Sequence, residues 1–147
     1  MTVALSSVAV LSAKDLLLPS TSLSGSAYKQ LFLVCSGLVE GPDILPAETI
    51  QTSCYEQMFC GCSSLIKAPE LPALTLLSSS YQGMFRDCSS LNYIKAMFTD
   101  PADLYNATFA WVSGVASAGT FVMNEEATWN VQSHTPSGWT IVRVAKQ

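Results

Sequence analysis

The sequence predicts an α/β solenoid, with short parallel strands on one face, short helices on the other and atypical caps at both ends. The prediction rests on three copies of one motif, which has a tyrosine, an apolar residue three positions later, then Phe and Cys-Ser-x-Leu. The copies begin at Tyr28, Tyr55 and Tyr81, so they lie 27 and 26 positions apart. A Leu-Pro pair precedes each copy, at Leu18-Pro19, Leu45-Pro46 and Leu71-Pro72. A constant spacing of about this length is typical of stacked repeats.

The chain is expected to form one domain, 1–147, in three parts. Residues 1–19 are interpreted as a degenerate N-terminal coil, 20–98 as three repeats and 99–147 as a C-terminal cap. Charged residues make up only 12% of the chain, and its mean hydropathy is +0.32. Stacking explains this apolar composition, because the inner residues of each coil contact neighbours on two sides.

The N-terminal stretch VAVLSAKDLLLP ends on the first Leu-Pro pair but lacks the Phe and Cys of the motif. Terminal repeats are atypical because they close an otherwise open apolar core. A capping role is therefore expected, and a strand with a frayed start is the alternative. No Lys or Arg precedes the apolar part, so the stretch matches a secretory signal peptide poorly.

The segment after each Leu-Pro pair has a helical period. Ile50, Cys54, Met58 and Phe59 fall at i, i+4, i+8 and i+9, which is one stripe of an α-helix. The equivalent residues of the other two copies are Leu23, Ala27, Leu31, Phe32 and Leu76, Ser80, Met84, Phe85. The pattern predicts about two to three helical turns in each repeat. Expected helix ends are the N-caps Thr49 and Thr75 and the C-terminal Gly61.

A short extended piece follows each Cys-Ser-x-Leu, and Pro42 and Pro69 end the first two pieces early. Stacked in register, these pieces form a parallel sheet whose equivalent positions lie about 4.8 Å apart. The inner row is expected to hold Leu38, Leu65 and Leu91. The adjacent outward row is expected to hold Glu40, Lys67 and Tyr93, where opposite charges on neighbouring strands are favourable.

The last third of the chain reads as a cap. Residues 103–116 are predicted to form a helix, 120–123 a strand, and 139–144 an edge strand after the turn signal Pro136-Ser137-Gly138. All three tryptophans lie in this part, at Trp111, Trp129 and Trp139. They are expected to seal the open end of the stack, because large aromatics dominate core energetics. An aromatic platform for carbohydrate is the alternative.

These motifs resemble the leucine-rich repeats of the BspA-like family. The pattern F-x-x-C-S-x-L followed by a Leu-Pro step, and the stretch MFCGCSSLIKAPELPALTL, are similar to variants found in surface proteins of anaerobic gut bacteria and their phages. The segments LNYIKAMF, WVSGVASAGTFV, ATWN and PSGWTIV resemble the family's C-terminal cap. The resemblance spans 18–142 and departs from the family at the N-terminus and at Leu31, where most units have Met. It implies a leucine-rich-repeat fold and an association with adhesion.

The five cysteines are expected to be buried structural thiols. Cys35, Cys62 and Cys88 share one repeat position, so their side chains point the same way, which does not suit a disulfide. Cys60-Gly61-Cys62 does not have the spacing of a zinc pair, and the one histidine is remote, at His134. Disulfide or metal roles remain as alternatives.

Composition and motifs argue against catalysis and against several classes of ligand. One histidine gives no obvious nucleophile–base–acid set, and His134 is interpreted as a solvated residue. Glu125 and Glu126 are expected near a helix start, where the dipole favours acid. The net charge of −4 argues against nucleic acid. No apolar run reaches the length of a membrane span. We therefore expect no enzymatic activity, no cofactor and no metal.

Two functional classes remain. The first is a binding or adhesion module at a bacterial or phage surface, which recognises a protein or glycan through the outward strand residues Glu40, Lys67, Tyr93 and Lys95. The second is a structural component of a virion, fibre or cell surface, which oligomerises through its apolar surface. Both place the protein at the cell surface, outside the cell or in a virion.

Overall fold

The computed structural model describes residues 11–99 and 104–147. The start of the predicted N-terminal coil, 1–10, and the break between repeats and cap, 100–103, lie outside the described residues. The elements in chain order are strand β1 (Tyr93–Ala96), helix α1 (Leu104–Ala107), strand β2 (Thr120–Asn124), helix α2 (Val131–His134) and strand β3 (Thr140–Val144).

The three strands form a parallel sheet in the order β1-β2-β3. Tyr93 of β1 lies beside Thr120 of β2, which lies beside Thr140 of β3. The predicted strand at 120–123 is confirmed and extends by one residue to Asn124. The predicted edge strand is confirmed from Thr140, and Trp139 directly precedes it.

Isolated parallel bridges continue this sheet toward the N-terminus. One row joins Ser12 to Glu40, Glu40 to Lys67, and Lys67 to Tyr93 at the start of β1. A second bridge joins Ile44 to Glu70. Each contribution is only one or two residues long, because prolines at 42 and 69 follow closely and remove backbone donors. We call the sheet and these bridges the strand side.

The opposite side is built from turns, so the prediction of a helix in each repeat is wrong. Residues 25–34, 52–61, 78–87 and 108–114 form turns, and we call them the first to fourth turn segments. The predicted caps Thr49 and Thr75 therefore precede turns. The predicted helix over 103–116 is shortened to α1, which is followed by the fourth segment.

Backbone conformation explains why these segments are not helices. In the second segment φ is positive at every fourth residue, at Ser53 (59°), Gln57 (54°) and Gly61 (78°), whereas a right-handed helix needs negative φ throughout. Gly61 adopts the predicted left-handed conformation within the turns. Since these turns also repeat every four residues, they give the same i, i+4, i+8 apolar spacing as a helix, which is why the sequence pattern misled.

Hydrogen bonds of the turn segments alternate along the chain. The N–H of Met58 donates to the carbonyl of Tyr55 within its own segment (3.1 Å), whereas the N–H of Phe59 donates to the carbonyl of Met84 in the next segment (2.9 Å). The same alternation occurs in the first and third segments. Every second N–H therefore ties one segment to the next.

Equivalent core residues of successive repeats contact one another. The Phe32 and Phe59 rings are stacked with centroids 5.2 Å apart, and Phe59 and Phe85 are stacked at 5.7 Å. The Cys62 thiol donates to the Phe32 carbonyl at 3.1 Å. The Cys88 thiol makes the same contact with Phe59 at 3.0 Å. All of these side chains are fully buried.

The tryptophans close the core at the C-terminal end. The Trp111 ring stacks on Tyr81 with centroids 5.8 Å apart, and Trp129 stacks on Phe98 at 4.8 Å. Each of the three indole N–H groups donates to a backbone carbonyl, and each tryptophan is at most 9% exposed. Buried indoles present no ring face to a sugar, so the alternative of a carbohydrate platform on these tryptophans is wrong.

Candidate functional site

The strand side carries an exposed apolar row that the sequence analysis did not single out. Leu11, Val39 and Ile66 are joined by backbone hydrogen bonds, from Val39 N to Leu11 O (2.9 Å) and from Ile66 N to Val39 O (3.4 Å). These side chains are 65%, 39% and 47% exposed. The row ends at Asn92, whose N–H donates to the Ile66 carbonyl. We call Leu11, Val39 and Ile66 the apolar row.

A charged row lies directly beside the apolar row. It consists of Ser12, Glu40, Lys67 and Tyr93, and the bridges confirm the predicted adjacency of the last three. The Ser12 hydroxyl donates to Glu40 Oε2 at 3.4 Å. The Lys67 ammonium lies 5.1 Å from the centroid of the Tyr93 ring, so this cation faces an aromatic ring. The proposed ligand role of these residues stays a prediction.

The fourth predicted site residue, Lys95, belongs to a different row. Its ammonium lies 3.6 Å from Glu70 Oε1, and its carbonyl accepts from the Leu71 N–H. Glu70 is bridged in turn to Ile44, which is 42% exposed. Ile44 and Glu70 were not predicted from the sequence, because they lie beyond the short extended pieces that follow each Cys-Ser-x-Leu.

An open depression of about 490 Å³ separates these two rows. Its charged lining residues are Lys14, Glu40, Asp43, Lys67 and Glu70. The lining carries two basic and three acidic groups, so it can form ion pairs with a partner that carries both signs of charge. It is a wide surface feature rather than an enclosed cavity, and this shape suits contact with a macromolecule better than with a small ligand.

The C-terminal tail folds back to the same side of the molecule. The Lys146 ammonium donates to the Pro72 carbonyl at 2.7 Å and lies 3.9 Å from Glu48 Oε1. A second depression of about 210 Å³ lies between this tail and Glu70 and Lys95. The tail therefore borders the strand-side surface.

Burial disfavours the nucleophilic thiolate form at four of the five cysteines. No disulfide joins the cysteines, and burial raises the pKa of Cys54 to about 11 and that of Cys62 to about 12. Burial also raises the pKa of Cys88 and of the partly exposed Cys60. A nucleophilic cysteine needs a lowered pKa. Within 11–99 and 104–147, no three His, Cys, Asp or Glu side chains come together as a possible metal site.

His134 is half-buried, so its interpretation as a solvated residue is wrong. Its Nδ1 lies 3.2 Å from Thr108 Oγ1, and its ring meets Trp129 edge to face at 6.2 Å. The Thr108 hydroxyl donates to the Leu104 carbonyl at 2.7 Å and so is free only to accept from His134 Nδ1. Burial lowers the pKa of His134. These contacts make it part of the cap.

Glu125 and Glu126 lie in the turn after β2, so the prediction that they lie near a helix start is wrong. Their backbone N–H groups donate to the Val144 carbonyl and to Asn124 Oδ1, at 2.8 and 3.0 Å. Both side chains are exposed and have no catalytic partner among the residues described here. None of the helices in the described ranges is long and apolar enough to cross a membrane.

Comparison with known proteins identifies no relative of this chain: no family model matches it, and neither does any curated protein or solved structure.

Proposed function

We propose that the chain is a leucine-rich-repeat solenoid of the BspA-like type, which acts as a non-enzymatic binding module at a cell or virion surface. The stacked phenylalanines and the repeated thiol-to-carbonyl contacts support the solenoid, because equivalent positions of successive motifs meet. The backbone bonds between turn segments support it too. Each turn segment then forms one flank of a coil, and each bridge position the other.

The observation that carries the binding role is the pairing of the apolar row with the charged row on the strand side. Three exposed apolar side chains in register form a continuous patch, and such patches on a soluble protein mark interaction sites. Beside them, Glu40 and Lys67 offer charges that fix orientation. An apolar centre with a charged border is the usual anatomy of a protein interface.

A protein partner fits this surface better than a glycan. Sugars stack on exposed aromatic faces, and Tyr93, the aromatic residue of the charged row, already has Lys67 over its ring. The apolar row is aliphatic and offers no such platform. The recognised surface is therefore a folded protein or peptide that carries both apolar and charged groups, and Lys95 with Glu70 lies at the border of the contact.

The test is affinity capture with matched variants. The immobilised chain is exposed to solubilised surface proteins of gut anaerobes and intestinal epithelium, and bound proteins are quantified by mass spectrometry. Each captured protein is then purified and its affinity is measured for the wild type, Ile66→Asp and Lys67→Glu. We expect both substitutions to weaken binding at least about tenfold, which corresponds to about 1.4 kcal/mol.

The control is Arg86→Glu, which reverses an exposed charge on the turn side. It should leave the affinity unchanged. The proposal is wrong if every captured protein binds all four forms equally well, or if no captured protein binds the purified wild type.

A structural assembly role is the second candidate, and the same apolar row favours it. If copies associate through this row, Ile66→Asp should convert an oligomer to a monomer in sedimentation velocity, whereas Arg86→Glu should not. A wild type that is monomeric at all concentrations excludes this second role.

A further inference from the structure

Among the residues that the structure describes, the first and fourth turn segments end the row of inter-segment hydrogen bonds with complementary groups, carbonyl acceptors at one end and N–H donors at the other. Within the row, each segment donates every second N–H to carbonyls of the next, as Gly83, Phe85 and Asp87 do to the fourth segment, and Tyr81 donates to Ala107 directly before it. The equivalent positions of the fourth segment are 108, 110, 112 and 114. Thr108 N donates to the Leu104 carbonyl of α1 instead.

Three N–H groups of the fourth segment thus have no hydrogen-bond acceptor among the described residues, at Ala110, Val112 and Gly114. Their equivalence to the third segment is supported by positive φ at Ala110 (53°) and Gly114 (80°), which matches Gly83 (59°) and Asp87 (61°). Ala110 and Val112 are partly exposed and Gly114 is exposed. We call these three groups the donor end.

The first turn segment presents the opposite polarity. Its even-numbered residues donate to the second segment, as Gln30 does to Glu56 and Phe32 to Met58. In the second segment, the carbonyls that accept from the preceding segment are those of alternate residues over 52–60. The equivalent carbonyls of the first segment belong to its odd-numbered residues. No residue in the described ranges donates to these carbonyls, which belong to Gly25, Ala27, Lys29, Leu31 and Leu33. We call them the acceptor end.

The strand side ends in the same way. In a parallel sheet, backbone groups of alternate residues point to opposite neighbours. Thr140 N and Val144 O bond back toward β2, at Gly119 O and Glu125 N, so Ile141 and Arg143 direct their backbone groups outward from the edge strand. At the other end, Leu11 O and Ala13 N bond to Val39 and Glu40, which leaves the backbone of Ser12 facing outward.

We propose that copies of this chain stack end to end, with the donor end of one on the acceptor end of the next. The register of the existing segments assigns Ala110 N to the next copy's Lys29 O, Val112 N to its Leu31 O and Gly114 N to its Leu33 O. Because donors lie at one end and acceptors at the other, the contact is heterologous and cannot close a two-fold dimer. It builds an open filament, and it does not depend on the proposed binding role of the strand side.

A row of side chains beside the donor end indicates that the group which binds there is a second copy of this chain. Lys29, Glu56, Gln82 and Phe109 occupy equivalent positions next to the donors, and the Lys29 ammonium lies 3.3 Å from Glu56 Oε2. Phe109 ends this row and is 46% exposed. Stacking places the next copy's Lys29 beside the Phe109 ring, where a cation is attracted by the aromatic face. The aromatic ring beside the donor end thus meets a cation beside the acceptor end of the next copy.

The contact is expected to be weak. Helix α2 covers Thr108, because the His134 ring contacts its hydroxyl, so the three remaining donors carry the backbone contact. Each hydrogen bond contributes about 1 kcal/mol net, and association must offset the lost rotational and translational freedom. Assembly should therefore depend steeply on protein concentration.

The test is sedimentation velocity of the full chain over a wide range of concentration. We expect the mass of the wild type to grow without a plateau at the dimer. Phe109→Lys, which sets a like charge against Lys29, should weaken association about tenfold or more, since facing like charges are costly. Gln82→Lys adds the same charge at the internal position of the same row and should leave association unchanged.

Mixing Phe109→Lys with Lys29→Glu should restore association, because the substituted ends then attract. Amide NMR of the wild type gives a second readout that needs no variant: raising the concentration should shift the resonances of Ala110, Val112 and Gly114 and those at 29–33. A wild type that stays monomeric, a closed dimer, or shifts confined to the apolar row would each overturn the proposal.

Discussion

The strand side and the turn side both join successive repeats through backbone hydrogen bonds, but these bonds are more regularly spaced on the turn side. The strand side contributes single bridges, such as Glu40 to Lys67, before the sheet proper begins at β1. The second turn segment donates to the third at every alternate residue over 53–61. The strand side joins the same two repeats by fewer and less evenly spaced bonds, donated by Ala68, Leu71, Asn92 and Met97. The turn side thus forms the more regular row. Outward side chains take no part in the strand-side backbone bonds, so they can vary at little cost, which suits a candidate binding surface there.

The largest loss of stability is expected when a core residue of the turn side, Phe59, is truncated. Phe59 is fully buried and stacked between Phe32 and Phe85. We expect Phe59→Ala to lower the free energy of unfolding by about 3–5 kcal/mol and Leu65→Ala, on the strand side, by about 2–5 kcal/mol. Chemical denaturation followed by circular dichroism measures both. Losses under 1 kcal/mol for both would show that the two sides do not share one core.

Alkaline pH should destabilise the protein through the turn side, because Cys54 lies within and Cys62 lies directly after the second turn segment. Burial raises the pKa of Cys54 to about 11 and of Cys62 to about 12, so the folded state holds protons that an unfolded thiol releases near pH 9. Their contribution to stability is complete below pH 9 and is lost as the pH rises through 12.

Each such group lowers the free energy of unfolding by up to about 1.4 kcal/mol per pH unit in this window. Urea denaturation at pH 8 and pH 10 measures the change. The double variant Cys54→Ala, Cys62→Ala is the control and should show a shallower dependence on pH. An equal dependence in both proteins would assign the effect to other groups.

Because the turn side has positive φ at regular positions, two opposite glycine substitutions are expected to have opposite effects on stability. Val34 is 58% exposed with φ of 57°, and Gly61 holds the equivalent position with φ of 78°. A β-branched residue is strained there, so Val34→Gly should stabilise the protein by about 1 kcal/mol. Gly61→Val should destabilise it by about 1–2 kcal/mol, since its Cβ would lie 3.3 Å from Val34 Cα.

Thermal denaturation of both variants measures the pair. In a helix, glycine is less favourable than valine, so a destabilising Val34→Gly would restore the helical interpretation of this side.

The smallest effect is expected for the outward residues of the strand side. Lys67 is exposed and contacts the Tyr93 ring at 5.1 Å. Lys67→Ala should change the free energy of unfolding by about 0.5 kcal/mol, the size of an exposed cation–π contact. Lys67→Arg, which keeps the cation, should be neutral. A loss of several kcal/mol in urea denaturation would mean that this row holds the fold together and is not free to evolve for binding.

The sequence predicted the elements whose patterns have one structural meaning. The alternating residues after the Pro-Ser-Gly turn predicted β3, and the equivalent positions of Glu40, Lys67 and Tyr93 predicted their row. Three buried tryptophans were expected from their concentration at one end.

The turn side could not be predicted, because a spacing of four residues belongs equally to a helix and to turns with positive φ at every fourth residue. In the second segment Ser53 and Gln57 carry that conformation without glycine, so only Gly61 gave a local signal there. Hydrogen bonds between segments stabilise this conformation, and local sequence propensity gives no indication of such long-range bonds. His134 was misplaced for a related reason, since its partners Thr108 and Trp129 are remote in sequence.

The most direct test of the stacked arrangement is NMR detection of scalar couplings across hydrogen bonds. Stacked turn segments predict couplings from the Phe32 nitrogen to the Met58 carbonyl carbon and from the Phe59 nitrogen to the Met84 carbonyl carbon, across bonds of 2.8 and 2.9 Å. Couplings from these two nitrogens to carbonyls four residues earlier would instead mean helices, and would contradict the account.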